Sequence, residues 1–249
     1  MKRLSKWILM ALPGLVLLVL WEYVLVRTDR SIFLFSTPSR IAQSLLENVR
    51  SGLLLLDFWT TGSEALLGFL LGNVVGSCLG ILLAVWRNVS RLAKPYVLAL
   101  GAIPIFALAP MMIIWFGTGL FAKVMMAGLS TVFVAMTQAY DGATQVDIRQ
   151  INLLKSFGAN RSQIFSRLLL PSSLIWVFSS WKVNIGLALL GAFVAEYISS
   201  NQGLGYRILK AGGTYDVALV WASLSMMVLL ALVFSGLIRL LERVVIKWR

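Results

Sequence analysis

"GFLLGNVVGSCLGILLAVW", residues 68–86, runs nineteen positions without a charged side chain and sets a glycine at 68, 72, 76 and 80. A bilayer core about 30 Å thick demands roughly 20 apolar residues of helix, so the stretch reads as a membrane span. Small residues four apart share one helical face and let a second backbone approach closely, which in lipid replaces the hydrophobic driving force. That face therefore packs against protein, either within this chain or at a subunit interface.

The remainder has the same character. Hydrophobic residues make up 59% and charged residues 13% of the 249 positions, too little polar surface for a domain facing water on all sides. The apolar runs are too long and unbroken for barrel strands, so an all-α, polytopic membrane protein follows. Six spans fall at about 7–26, 64–86, 96–116, 121–140, 174–197 and 217–238. The first resembles a secretory leader because Lys2, Arg3 and Lys6 precede it, but its apolar core is too long and no small-x-small site precedes Arg27. It is read as a retained span. "GTGL", residues 117–120, makes a tight hairpin of the third and fourth spans.

Of the 22 basic residues, fourteen fall on the side of the N-terminus, seven on the other, and Lys182 within a span. The excess places both termini in the cytoplasm. The net charge of +12 is then accounted for by topology and anionic lipid headgroups, with no need of nucleic acid. Asp29, Glu47, Asp57, Glu64 and Asp216 are assigned to the external side, so its basic residues do not by themselves select an anion.

Residues 31–63 carry Ile41, Leu45, Leu46 and Val49 at helical spacing among Arg40, Gln43, Glu47 and Arg50, the pattern of an amphipathic interfacial helix. The third span follows Pro95 and holds Pro104 and Pro110. Each proline removes a backbone donor, and the freed carbonyls need partners in protein or beside a water-filled cavity. Either a kinked packing helix or one that borders a permeation path, with Trp115 near its end, satisfies this. Glu22 and Lys182 lie close enough to the membrane surface to snorkel. Glu196 closes the fifth span before "YISSNQGLGYRI", where Gly203 and Gly205 read as a turn. It is either an ordinary interfacial carboxylate or the anchor of a gate loop.

The sequence holds no histidine, one mid-span cysteine (Cys78, read as a buried packing residue) and no G-x-x-x-x-G-K-[ST] phosphate loop. No metal site, no bound cofactor and no nucleotide hydrolysis are expected of this chain. The spans also lack the run of Asp, Glu or His that proton-coupled carriers use. Uphill transport would then draw its energy from another subunit.

Residues 141–173 form the longest cytoplasmic segment between spans. Phe157, Ile164, Phe165, Leu168 and Leu169 recur at helical intervals among Lys155, Asn160, Arg161, Gln163 and Arg167. The pattern predicts a short amphipathic helix, with Gly158 as a turn and Pro171 ending it where the next span begins. Periodicity alone fits a helix on the membrane surface or one seated in a partner's groove.

Gly158, nine residues, then Leu168-x-Leu170-Pro171 resembles the EAA loop of permease subunits from binding-protein-dependent ABC importers. "STPSRIAQSL", "GFLLGNVVGSCLGILLA", "IPIFALAPMMIIWFGTG", "SFGANRSQIFSRLLLP" and "AEYISSNQGLGYRI" occur in the order of the nitrate/sulfonate/taurine class. The resemblance implies the MetI-like permease fold, with residues 1–63 an N-terminal span plus external segment and 64–249 a five-helix core. It further implies a coupling helix formed by Gly158, Ala159, Asn160, Arg161, Gln163, Ile164, Phe165, Leu168 and Pro171. A separate cytoplasmic ATPase, which alone uses ATP, would hold this helix; an external solute-binding protein and a second permease copy complete the assembly. Pro104, Pro110, Trp115, Lys182, Glu196, Gly203 and Gly205 are the candidates for the solute path or its gate, and relatives often carry a basic residue where Lys182 stands. Asn152-Leu153-Leu154 replaces the family's Glu-Ala-Ala, and Ile175 stands where many relatives have a second proline. An ATP-independent facilitator and a membrane scaffold are the other functional classes that the composition admits.

Overall fold

A computed structural model describes residues 12–25 and 29–245. Helix α1, Leu12–Tyr23, runs on through a π turn to Leu25 and is the described part of the first expected span; residues 7–11 and 26 of that span and the outer residues of both termini lie outside the described residues. Then follow α2 (Asp29–Phe35), α3 (Pro38–Arg50), α4 (Leu53–Val85), α5 (Arg87–Gly101), α6 (Ile105–Phe116) and α7 (Leu120–Thr144). The chain continues through α8 (Ile148–Ser156), α9 (Arg161–Ile164), α10 (Leu170–Ile198), α11 (Leu204–Gly213) and α12 (Val217–Val245). No strand occurs among the described residues. Four helices are long and apolar enough to cross a bilayer, or five with the bent pair α5–α6 counted as one span.

The centre of the bundle is the contact of α4 with α7, made by the glycine stripe. A Cβ on Gly68 would meet the carbonyl of Val124, on Gly76 that of Val132, and on Gly80 that of Met136. The two helices therefore run parallel with their backbones touching, and the stripe serves intrachain packing. Helix α10 lies antiparallel against both: Gly191 abuts Ala127 and Ser130, while Trp176 covers Gly142. Halfway along, Asn184 Nδ2 donates to Asn73 Oδ1 at 2.6 Å, both residues being buried, a polar tie that the apolar surroundings reinforce. Helix α12 closes the core with Met226, Leu230 and Phe234. Cys78 is exposed on the opposite side of α4; it sits two residues after Gly76 and so cannot share the packed face.

Several expectations change. Helix α4 begins eleven residues before the expected span, so the proposed division at residue 63 falls inside one helix. The third span is broken rather than kinked. Helices α5 and α6 meet at 91°, with Pro104 as the N-cap of α6, Pro95 inside α5 and Pro110 inside α6. Pro171 does not end a helix. It occupies the first turn of α10, and its missing donor is absorbed by a π turn over Phe165–Leu169, which widens the ladder where a proline ring would otherwise strike a carbonyl. Residues 161–198 consequently form one continuous helical run of 38 residues. Glu22 does not snorkel; its carboxylate accepts from Ser39 N at 3.0 Å and Ser39 Oγ at 2.7 Å, at the start of α3.

The glycine contact makes a testable contrast. Gly76→Leu should destabilise the protein by about 1–3 kcal/mol through overpacking, whereas Gly186→Ala, with nothing within 4 Å of a new Cβ, should leave stability unchanged or raised. Thermal unfolding in detergent reads both; equal melting of Gly76→Leu and the parent would refute the contact.

Candidate functional site

At the pole where α4 and α7 begin and α10 ends, three side chains project inward from successive turns of α4: Asp57, Thr61 and Glu64. They are 0%, 0% and 1% exposed. Facing them, the chain leaves α10 after Glu196 and turns through 199–203 into α11. The first N–H groups of a helix have no partner within it, and here side chains supply them. Gly203 N donates to Asp57 Oδ1 at 2.8 Å, Leu204 N to Thr61 Oγ1 at 2.8 Å and Gly205 N to Glu196 Oε2 at 2.7 Å. Thr61 Oγ1 in turn donates a hydrogen bond to Glu196 Oε1 at 2.7 Å. Two carboxylates at a helix N-terminus also complement its partial positive charge.

Two cations pair with two of the three buried carboxylates, Asp57 and Glu64. Arg207 Nε reaches Asp57 Oδ2 at 2.7 Å, and Lys123 Nζ, from α7, reaches Glu64 Oε1 at 2.8 Å and Ser200 Oγ at 2.8 Å. Breaking such a buried pair leaves an uncompensated charge and is strongly destabilising. The loop also needs its glycines. Gly203 has φ 109° and lies against the Glu196 carboxylate, while a Cβ on Gly205 would come 2.7 Å from the Phe193 carbonyl. Beside the cluster opens a cavity of about 650 Å³ lined by Glu64, Lys123, Tyr197, Ser199, Ser200 and Tyr206, among others.

Glu196 is thus fully buried and not an interfacial carboxylate. Asp57 and Glu64 do not face external water either. Gly203 ends the turn, but Gly205 is already helical. The other path candidates are not brought to this cluster. Trp115 is 58% exposed near the end of α6, and Pro110 is exposed within α6. Pro104 borders a separate cavity of about 330 Å³ with Phe106, Ser130 and Leu187. Lys182 lies towards the opposite pole, where it pairs with Glu242 of α12 at 2.8 Å. Asp57, Thr61, Glu64, Lys123 and Arg207 were not anticipated. Their signal was present: 57, 61 and 64 fall at i, i+4 and i+7, one face of a helix that extends before residue 64.

At the opposite pole, residues 145–169 project from the ends of α7 and α10. Asp147 caps α8 by accepting from Arg149 N at 2.8 Å. Gly158, with φ 78°, closes α8: its N–H goes to Lys155 O, and that of Ala159 to Leu154 O, the left-handed C-terminal turn that glycine favours. Asn160 then opens α9 with a reciprocal capping box, Gln163 N to Asn160 Oδ1 and Asn160 N to Gln163 Oε1, both at 2.8 Å. Ile164 turns inward and is buried, Leu168 is half-buried, and Arg161 and Gln163 are exposed. Ile148, Leu153 and Phe157 are 62%, 56% and 78% exposed. The segment is anchored at its root, where Ser172 Oγ donates to Gly142 O at 2.9 Å.

Comparison with known proteins places the chain among transport subunits. The pattern of the family described as binding-protein-dependent transport system inner membrane component matches residues 76–247. The riboflavin transport system permease protein RibX of Chloroflexus aurantiacus is 31% identical over 98% of this chain and 91% of its own length. The formylaminopyrimidine transport permease protein ThiX of Halalkalibacterium halodurans is 29% identical over 100% and 99%, and the putative aliphatic sulfonates transport permease protein SsuC of Bacillus subtilis 27% over 98% and 88%. An inward-facing structure of the MetNI methionine ABC transporter superposes with a TM-score of 0.69 over 78% of this chain and 97% of the other, at 19% identity, which is a likeness of fold. The chain belongs to the family of binding-protein-dependent transport system inner membrane components, the permease subunits of ABC importers.

Proposed function

We propose that this permease takes its driving force through residues 148–169, held by a separate ATPase, and delivers it along α10 to the clamped loop at the far pole. The observation that carries the reading is the unbroken helical run from Arg161 to Ile198. At about 1.5 Å per residue it forms a rod of roughly 57 Å. One end bears the projecting α8–α9 segment, and the other bears Glu196, whose carboxylate holds the N-terminus of α11. Movement of one end is movement of the other.

The projecting segment suits a partner's cleft. Phe157, exposed beside a turn fixed by Gly158 and the Asn160 capping box, is an apolar anchor whose burial is favourable and whose backbone is already ordered. Arg149, Lys155 and Arg161 belong to the same segment, and residues 148–173 include no acidic side chain, so the matching cleft is apolar with an acidic rim. One chain offers one such segment, and a two-fold pair of permeases matches a pair of ATPases. The clamped loop and its 650 Å³ cavity then face outward, where a solute-binding protein delivers its cargo. Both termini lie in the cytoplasm, and ATP is bound by the partner, not by this chain. Relatives are named for riboflavin, a formylaminopyrimidine and aliphatic sulfonates, and the solute here is a small molecule of that range.

Rocking between inward-open and outward-open states requires the clamp to change partners as α10 moves. Asp57 and Glu196 are the hinge points, because each accepts one N–H of the loop and sits on a different spanning helix.

Three tests follow. Gly158→Val puts a β-branched side chain at a positive φ and should abolish uptake while membrane insertion remains that of the parent; normal uptake would remove the docking turn. Phe157→Ser and Arg161→Glu should each lower the amount of ATPase that co-purifies with the tagged chain from native membranes, and equal recovery from mutant and parent would contradict the docking surface. Asp57→Asn keeps an acceptor for Gly203 but leaves Arg207 without its counter-charge. It should reduce uptake while nucleotide hydrolysis by the assembled importer continues; unimpaired uptake would show that the clamp takes no part in transport.

A further inference from the structure

The transport reading leaves several cavities unused, one of them partly polar. It measures about 230 Å³ and lies where α5 meets the ends of α4 and α7 nearest the coupling segment. Leu83, Val97, Leu98 and Met136 make part of its lining apolar, while Ser90, Lys94, Tyr140 and Asp141 supply polar groups. Its level is the edge of the hydrocarbon. The apolar helix α4 ends at Val85, Trp86 follows at 54% exposure, and α7 ends at Thr144; tryptophan is enriched at the level of the headgroups.

Ser90, buried, donates its hydroxyl to Tyr140 Oη at 2.7 Å. The phenolic proton of Tyr140 is left to donate elsewhere. Lys94 Nζ lies 5.8 Å from the centre of the same ring, and none of the ion pairs among the described residues engages it. The Lys94 ammonium, over the ring face, and the Tyr140 phenol therefore line one cavity together with four apolar side chains. A free inorganic anion would gain nothing from that groove.

We propose that this cavity seats an anionic phospholipid, its phosphate ester against Lys94 and Tyr140 and an acyl chain along Leu83, Val97, Leu98 and Met136. Basic pockets between spanning helices at the headgroup level bind lipids in this way. Asp141 would repel a bare phosphate, but it accepts from a hydroxyl beyond the phosphate, which favours a glycerol headgroup. Arg91, exposed three residues before Lys94 on α5, keeps the local balance positive. The lipid would brace α5 against α7 beside the root of the coupling segment.

Native mass spectrometry of the purified chain, titrated separately with phosphatidylglycerol, phosphatidylethanolamine and inorganic phosphate, tests the assignment. Phosphatidylglycerol should be retained most strongly. Lys94→Gln should weaken its binding about fivefold, the effect of one basic residue at an anionic surface, while Lys94→Arg preserves it. Leu98→Trp should displace the lipid by filling the groove, and Arg50→Gln, at the opposite pole, should have no effect. Melting curves establish that each variant is folded before its lipid count is read. Equal retention of phosphatidylethanolamine, full competition by inorganic phosphate, or unchanged binding by folded Lys94→Gln would each overturn the proposal.

Discussion

Within a bilayer two apolar helices gain little by leaving lipid for each other, so the α4–α7 pair depends on close backbone contact instead. Gly68, Gly72, Gly76 and Gly80 supply it. Because the stripe repeats every four residues it also fixes the register, and the register decides which polar residues meet at the ends of the pair. Glu64, four residues before the first of these glycines, arrives opposite Lys123; Asn73, between two of them, arrives opposite Asn184 on α10. A slip of one turn would separate the first pair and leave two buried charges unpaired.

Beside that contact stand one sharply bent helix pair and one continuous rod. Helices α4, α7 and α10 are mutually packed along most of their length, whereas α5 and α6 meet at a right angle at Pro104. Proline breaks the ladder there, but at Pro171 it does not, because a π turn accommodates the missing donor. The outcome differs through the neighbours. Pro171 sits at the root of α10, tied to α7 through Ser172 and Gly142, while Pro104 begins a helix at a point where a cavity adjoins the chain. Continuity of α10 is what allows the two functional poles to be joined mechanically.

Much of this was legible beforehand. Long uncharged runs located α7, α10 and α12 to within a few residues at most of their ends, and the four-residue glycine period identified the packed face of α4. The turn in the 148–169 segment was readable from Gly158 and the helical spacing after it, although not the division into α8 and α9, which depends on the Asn160 and Gln163 side chains acting on each other's backbone. The clamp was only half legible. Glu196 stood out as a carboxylate before a glycine-rich turn, but Asp57 and Thr61 were hidden, since hydropathy begins a span where polar residues stop. Here they line the inner face of a helix that starts eleven residues earlier. Lys123 carries no such signal in the sequence, because only the three-dimensional register reveals that it faces Glu64.

The central claim is mechanical: motion imposed at the 148–169 segment reaches the loop held by Glu196 through α10. Its most direct measurement is the labelling rate of a cysteine at position 199, made by Ser199→Cys in a Cys78→Ser background, by an impermeant thiol reagent applied to the assembled importer with and without nucleotide. The account predicts a nucleotide-dependent change of about fivefold or more, the scale of coupling between distant sites, and its loss when residues 158–168 are deleted. A rate indifferent to nucleotide, or a change that survives the deletion, would contradict it.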